Sequence, residues 1–330
     1  MTFVYLSVLY STLSYCPELI SGLKNKLFTL RRRILEENSG ILDRGGIADS
    51  PAKDQSPKPV TRKNSWLNVL TSATIFYVLL LVALLLTGNP NLFPSLVIVG
   101  SFTVPVAYVA FLYERRQFSR LKMPTVSLAF LYGGLVAIIA TSFLGPLFII
   151  RYNPGETLAV GLVEEFAKIL GVVMISRHRR HDQEMDGLIL GAAVGMGFAA
   201  LESTGYAFTS FLMSSGSISA TVEVTLFRGL LSPLGHGTWT AILASVLFRE
   251  SKDCCFRINL HVIGAYLFVS VLHAMWNGLS LVLTPVIGLE LGAITTWVVV
   301  GFIGLYVLGA RWREAVRLQI AALPTETEAR

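Results

Sequence analysis

Eight long apolar runs dominate this 330-residue sequence and place most of it in a lipid bilayer. Each run has about 20 residues or more, which is the length that a helix needs to cross the hydrocarbon core. Membrane strands are disfavoured, because no ten-residue alternation of apolar and polar residues is present. We therefore predict an all-α, polytopic membrane protein with about eight transmembrane helices. The runs cover residues 66–87, 92–113, 124–150, 156–176, 185–212, 222–248, 258–284 and 286–309.

Lys and Arg residues are distributed unevenly between the loops that join these runs. The two tails and alternate loops hold 24 of the 27 Lys and Arg residues, whereas the opposite loops hold only Arg151. The remaining two, Lys168 and Arg228, lie inside apolar runs. Because positively charged loops stay on the cytoplasmic side, we predict a multi-pass protein of the cell membrane with both termini in the cytoplasm.

The chain divides into a basic N-terminal tail, a membrane domain over 66–309 and a short cytoplasmic C-terminal tail over 310–330. Residues 21–65 hold ten Lys or Arg against five acids, so 1–65 is predicted to be a largely disordered cytoplasmic tail. Residues 1–20 are more apolar, and an interfacial segment and an over-extended gene start both stay open. The net charge of +6 flanks the apolar runs, which excludes nucleic acid and favours anionic lipid as the partner of the tail.

Ionisable residues inside four of the apolar runs are the candidate functional groups. Each costs roughly 2.5–3.5 kcal/mol at the bilayer centre, so a bundle tends to keep them only where they have partners and a use. They are Glu164, Glu165 and Lys168 in run four, Glu202 in run five, Arg228 and His236 in run six, and His273 in run seven. Counted from the predicted outer ends, the acids and histidines lie about 14–21 Å below the outer surface. They are therefore predicted to converge at one level.

Carboxylates and imidazoles at one depth support two kinds of hydrolytic chemistry. Their oxygen and nitrogen atoms can hold a divalent metal such as zinc, while a remaining carboxylate deprotonates water for attack on a peptide bond. A metal-free mechanism, in which a glutamate acts as general base with histidine assistance, needs the same residues. No HExxH zinc motif is present. Intramembrane hydrolysis fits both mechanisms, and the sequence leaves both open.

Four short strings carry a resemblance to a known family. They are EEFAK at 164–168, FAALE at 198–202, a mid-helix histidine at 236, and HAMWN from His273. Their order and placement over roughly 156–280 resemble the PrsW family of intramembrane proteases, which is related to the CAAX prenyl proteases. The prenyl-protease branch typically has EExxxR and FxxxH motifs. Lys168 and Glu202 depart from those motifs, which favours the PrsW branch.

The resemblance implies an intramembrane endopeptidase, usually classed as a metallopeptidase, with its site within 156–284. The implied substrate is a membrane-anchored protein, such as an anti-sigma factor or another regulator, cleaved on its extracytoplasmic side. The implied site residues are the catalytic acids Glu164 and Glu165, completed by Glu202, His236 and His273.

Within this set, our interpretation gives each residue a role. Glu165, together with Glu164, activates water. The other three, Glu202, His236 and His273, bind a metal or stabilise the oxyanion. As supporting groups, Lys168 holds the charge of the acids in place and Asn277 orients the nearby histidine.

Two other functions stay open at this point. Buried Glu, Lys, Arg and His side chains also build proton or ion pathways, so a transporter is the first alternative. A non-catalytic relative that acts as a scaffold or immunity protein is the second. Arg228 is interpreted either as a counter-charge for the acids or as a substrate-facing group.

Small residues recur every four positions along the fifth run. They are Gly187, Gly191, Gly195 and Ala199. Such a stripe lets two helix backbones approach closely. We predict that it packs a neighbouring helix beside Glu202.

Overall fold

The computed structural model describes residues 64–116, 119, 121–149, 156–177, 183–251 and 255–321. Almost all of the predicted N-terminal tail lies outside these described residues. The last helix continues to Ala321, so the first part of the predicted C-terminal tail is helical.

Every regular element in the described part of the chain is a helix, which confirms the all-α, multi-pass prediction. The α-helices are α1 (Ser65–Thr87), α2 (Phe93–Arg115), α3 (Met123–Leu128), α4 (Gly134–Phe148), α5 (Thr157–Ser176), α6 (Glu184–Met213), α7 (Ile218–Leu231), α8 (His236–Glu250), α9 (Leu260–Ile287) and α10 (Leu289–Ala321). A π-helical turn over Ala129–Gly133 joins α3 to α4, so that the two form one continuous helical segment.

Seven stretches of the described chain are long and apolar enough to cross a membrane. They are Ser65–Thr87, Pro90–Arg115, Met123–Phe148, Glu184–Met213, Ile218–Glu250, Leu260–Ile287 and Leu289–Ala321. They correspond to every predicted run except the fourth. That run forms α5, whose 20 residues include Glu164, Glu165 and Lys168. The total of eight spans and the cytoplasmic position of the termini stay predictions.

Helix α6 lies inside the bundle and packs closely against α8. Its glycines make this approach possible: a Cβ added at Gly191 or Gly195 would collide with the carbonyl oxygen of Thr240 or His236. A Cβ at Gly187 would also lie only 2.5 Å from a carbonyl oxygen of α8. The predicted packing role of the small-residue stripe is therefore confirmed for these three glycines. The contact brings the start of α8 against the middle of α6.

The sixth predicted run, 222–248, is not one helix. Helix α7 ends at Leu231, a 3-10 turn covers Ser232–Leu234, and α8 begins at His236. The prediction of a mid-helix His236 is therefore wrong. The physical reason is Pro233, which lacks the N–H donor that a continuing helix requires. Interrupted backbone at this depth is tolerated only where protein buries it or a cavity hydrates it, and here it lies at the candidate site.

Candidate active site

Helix α5 supplies two acids and one base to the interior of the bundle. Glu165 and Lys168 are completely buried, and Lys168 Nζ lies 2.7 Å from Glu165 Oε1. The same ammonium lies 3.6 Å from Glu164 Oε2, one helical turn away. Spacings of three and four residues place all three side chains on one face of the helix. Each buried charge on α5 therefore has an opposite charge beside it.

Helix α9 adds His273 to this face. Its Nδ1 lies 2.9 Å from Glu165 Oε1, and its Nε2 lies 3.6 Å from Glu164 Oε2. Close approach of the two helices depends on Gly161, where an added Cβ would lie 2.5 Å from the carbonyl oxygen of Ser270. The imidazole therefore contacts both acids of the EEFAK string at once.

His236, the first residue of α8, contacts two of the other groups. Its Nδ1 lies 2.7 Å from Lys168 Nζ, and its Nε2 lies 3.2 Å from Glu202 Oε2 on α6. The ring of His236 is 5.1 Å from that of His273, centroid to centroid. The five predicted catalytic residues thus meet around Lys168, as their common depth predicted.

Arg228, in the last turn of α7, forms an ion pair with Glu202. One guanidinium nitrogen, Nη2, lies 2.6 Å from Glu202 Oε2. Three carboxylates and two cations make up this connected set, so one negative charge is in excess when the histidines are neutral. Such a set can accept a further cation.

Three of these side chains have the arrangement of metal ligands. Glu164, His236 and His273 each offer one ligand atom, and these atoms lie within 4.8 Å of one another. The sequence-based ligand set had Glu202 in place of Glu164. In the structure, the Oε2 of Glu202 contacts both Arg228 and His236. Glu164 is therefore the acid that the geometry groups with the two histidines.

The hydrogen-bond partners of the histidines also suit a metal. A carboxylate can only accept, so His273 donates from Nδ1 to Glu165 and His236 donates from Nε2 to Glu202. The remaining nitrogens, His273 Nε2 and His236 Nδ1, carry lone pairs; that of His236 accepts from the ammonium of Lys168, so a bound ion would replace this contact. Carboxylate–histidine pairs of this kind orient ligands at metal centres. The residues present therefore fit a divalent ion.

The two adjacent acids differ in which of their carboxylate oxygens remain available to bind a ligand. Glu165 Oε1 contacts Lys168 and His273, and its Oε2 lies 3.5 Å from Thr240 Oγ1. Glu164 Oε2, by contrast, is buried and has no hydrogen-bond partner in the described part of the protein. Glu164 therefore has the free acceptor atom.

Two residues of the site, Thr240 and Trp239, were absent from the sequence-based set. Thr240, one turn after His236 on α8, faces Glu165, and its i+4 spacing was the signal. Trp239 is fully buried beside the two imidazoles, with its ring centroid 5.6 Å from that of His236 and 4.8 Å from that of His273. It supports both rings by packing. Asn277, one turn beyond His273, is half-buried, and no hydrogen bond to it is found within the described ranges.

The fold and the site together define a class of protein. It is a multi-pass helical membrane protein whose carboxylates and imidazoles lie inside the bundle, as hydrolysis within a bilayer requires. The sequence also matches the PrsW family of intramembrane metalloproteases over residues 121–307, a region that contains every residue of the site. Because the match covers more than half of the chain, the chain belongs to this family.

Two relatives support the same assignment. The chain is 25% identical over 188 residues to Protease PrsW of Geobacillus kaustophilus, covering 53% of this chain and 76% of that protein. It is 25% identical over 181 residues to Protease PrsW of Halalkalibacterium halodurans, covering 53% and 79% respectively. No solved structure matches the chain. Family membership supports an intramembrane protease acting on a protein in a membrane, and so favours that prediction over the transporter.

Proposed function

We propose that the chain hydrolyses a peptide bond of a membrane-anchored protein, with Glu164 as the base that activates water. The observation that carries this proposal concerns the buried Oε2 of Glu164: it has no hydrogen-bond partner among the described residues and lies 3.6 Å from both His273 Nε2 and Lys168 Nζ. A buried carboxylate oxygen without a donor is costly unless water or a ligand completes it. A water molecule that donates to Glu164 Oε2 would satisfy this oxygen and would lie where the carboxylate can accept its proton.

Glu165 has a different role in this proposal. Its contacts to Lys168, His273 and Thr240 occupy its oxygens, and its side chain is fully buried. We assign it to positioning: it holds the ammonium of Lys168 and orients the imidazole of His273. This revises the sequence-based interpretation, which gave Glu165 the leading role in water activation.

A divalent metal, for which zinc is one candidate, would be held by Glu164, His236 and His273, and Glu164 would then act on the water as a ligand of the ion instead of as a free base. When bound, it would polarise the scissile carbonyl and ease the deprotonation of water. Glu165 and Glu202 would each orient one histidine by accepting its ring N–H. In the metal-free alternative, Glu164 is the free base, and the ammonium of Lys168 is the donor beside the developing oxyanion.

The proposed substrate is a membrane-anchored regulator, such as an anti-sigma factor, cleaved on its extracytoplasmic side. The support comes from the predicted orientation and from the depth of the acids and histidines, about 14–21 Å below the outer surface. Both termini lie in the cytoplasm in this arrangement.

Mapping of membrane-protein termini in the source cells tests the protease assignment. Wild type, Glu164→Gln and Glu290→Gln would be expressed at equal levels; Glu290 is an exposed residue in the first turn of α10 and serves as the control. We expect a new terminus in a membrane-anchored protein with wild type and Glu290→Gln, and its absence with Glu164→Gln. Identical termini in all three strains, under conditions that require the protein, would instead support the scaffold or transporter alternative.

Metal analysis of the purified protein tests the cofactor. We expect about one divalent ion per chain in wild type, and its loss in His236→Ala and His273→Ala, because each removes one of three ligands. His261→Ala is the matched control, since this imidazole is 71% exposed at the start of α9. Cleavage by a wild-type protein that contains no metal would support the metal-free mechanism. Equal metal content in all variants would place the ion elsewhere.

A further inference from the structure

Arg228 is held at the edge of the site by three partners. Its Nη2 lies 2.6 Å from Glu202 Oε2, and its Nε lies 3.3 Å from Ser203 Oγ. The guanidinium carbon also lies 3.9 Å from the ring centroid of Tyr206. A planar group with several fixed donors and a stacked ring has few alternative positions. Arg228 can therefore fix the position of the Glu202 carboxylate.

The position of Glu202 decides where His236 carries its proton. Glu202 Oε2 lies 3.2 Å from His236 Nε2 and is an acceptor. Lys168 Nζ lies 2.7 Å from His236 Nδ1, and an ammonium is a donor only. Both neighbours therefore favour one tautomer of His236, with the proton on Nε2 and the lone pair on Nδ1. His273 has the opposite tautomer, because its Nδ1 donates to Glu165.

We propose that Arg228 is a positioning residue: through Glu202, it holds His236 in the Nε2–H tautomer, in which the lone pair on Nδ1 faces the ammonium of Lys168. This inference rests on the proposed function for the use of that nitrogen, as a metal ligand or as the acceptor that positions the ammonium of Lys168. The tautomer itself is a property of the resting protein. Terminus mapping therefore tests the protease proposal, and the tautomer measurement tests this one independently.

The alternative for Arg228 is a contact with substrate, which its partial exposure allows; the side chain is 30% exposed. The two roles differ in the resting protein. A group that serves only to bind substrate does not determine the protonation pattern of His236 before substrate arrives. A positioning group does.

Nitrogen NMR of the histidines in the whole 330-residue chain, stripped of metal with a chelator and reconstituted in lipid nanodiscs without substrate, tests the proposal. The protein would carry ¹⁵N-labelled histidine, and the His236 signals would be assigned by their loss in His236→Gln. In wild type we expect a protonated Nε2 and an unprotonated Nδ1 for His236, and the reverse for His273. Arg228→Gln is expected to lower the fraction of His236 with the proton on Nε2, because only Lys168 then favours that tautomer, and to give a detectable mixture, while His273 keeps the wild-type pattern.

Two further variants make the result decisive. Arg317→Gln is the matched control, because Arg317 is exposed on α10 and no ion pair to it is found among the described residues; its spectrum should equal that of wild type. If Arg228→Gln also alters His273, its fold has changed, and Arg228→Lys decides instead. That variant keeps a positive charge beside Glu202 and should preserve the His236 tautomer. An unchanged His236 in a folded Arg228→Gln protein, or a tautomer mixture in Arg228→Lys, would overturn the proposal.

Discussion

Glu164→Gln is expected to lower the cleavage rate by about 10²–10⁴-fold, with little effect on the thermal stability of the purified protein. The amide has the same size as the carboxylate but cannot accept a proton from water. Little structure is lost, because Glu164 Oε2 makes no hydrogen bond to any described residue and its contacts to Lys168 and His273 are both 3.6 Å long. The substrate for the rate measurement is the protein identified by terminus mapping.

The neighbouring variant Glu165→Gln should behave differently. It removes the charge that lies 2.7 Å from the fully buried Lys168 and the carboxylate that accepts from His273. An unpaired charge inside a protein costs about 3–5 kcal/mol, so both the stability and the activity should fall. Glu290→Gln controls for the change in net charge. If Glu165→Gln kept full stability and Glu164→Gln kept full activity, the roles of the two acids would have to be exchanged.

Gly195→Ala is expected to destabilise the protein by about 1–3 kcal/mol, although it adds a single methyl group. That methyl group would collide with the carbonyl oxygen of His236, so α6 and α8 would have to separate at the site. The measurement is the free energy of unfolding in detergent micelles. Cleavage should fall together with stability, because His236 moves with the start of α8.

Gly205→Ala on the same helix provides the control for this substitution. Gly205 is exposed, and a Cβ added there meets nothing within 4 Å. Alanine is a better helix former than glycine by about 1 kcal/mol, so this variant should be as stable as wild type or slightly more stable. Equal losses in the two alanine variants would contradict the packing role of Gly195.

Much of the site was predictable because it depends on local sequence. The spacing of Glu164, Glu165 and Lys168 puts them on one helical face, and their depth matches that of His273. The glycine stripe of α6 likewise predicts a close helix contact, although it does not identify the partner helix. What could not be predicted is the partner of each side chain. The clearest example is Glu202, which was interpreted as a metal ligand or an oxyanion-stabilising group and whose Oε2 contacts Arg228 and His236 in the structure.

The break before His236 shows another limit of sequence reasoning. Pro233 and Gly235 were visible in the sixth run, but hydropathy alone gives one uninterrupted span over 222–248. The structure divides it into two helices and makes His236 the first residue of α8. An interrupted helix in a bilayer needs other helices to enclose its exposed backbone, and that condition belongs to the whole bundle.

By itself, the sequence determined the helical membrane class, the family and the group of residues that meet inside the bundle. These properties follow from run length, hydropathy and position along a helix, all of which are local. Only the tertiary structure decided between adjacent residues: it enclosed Glu165 with Lys168 and His273 and left Glu164 Oε2 without a hydrogen bond. The physical reason is that neighbours on a helix differ by about 100° in direction, so their surroundings depend on how α5 is rotated against α8 and α9.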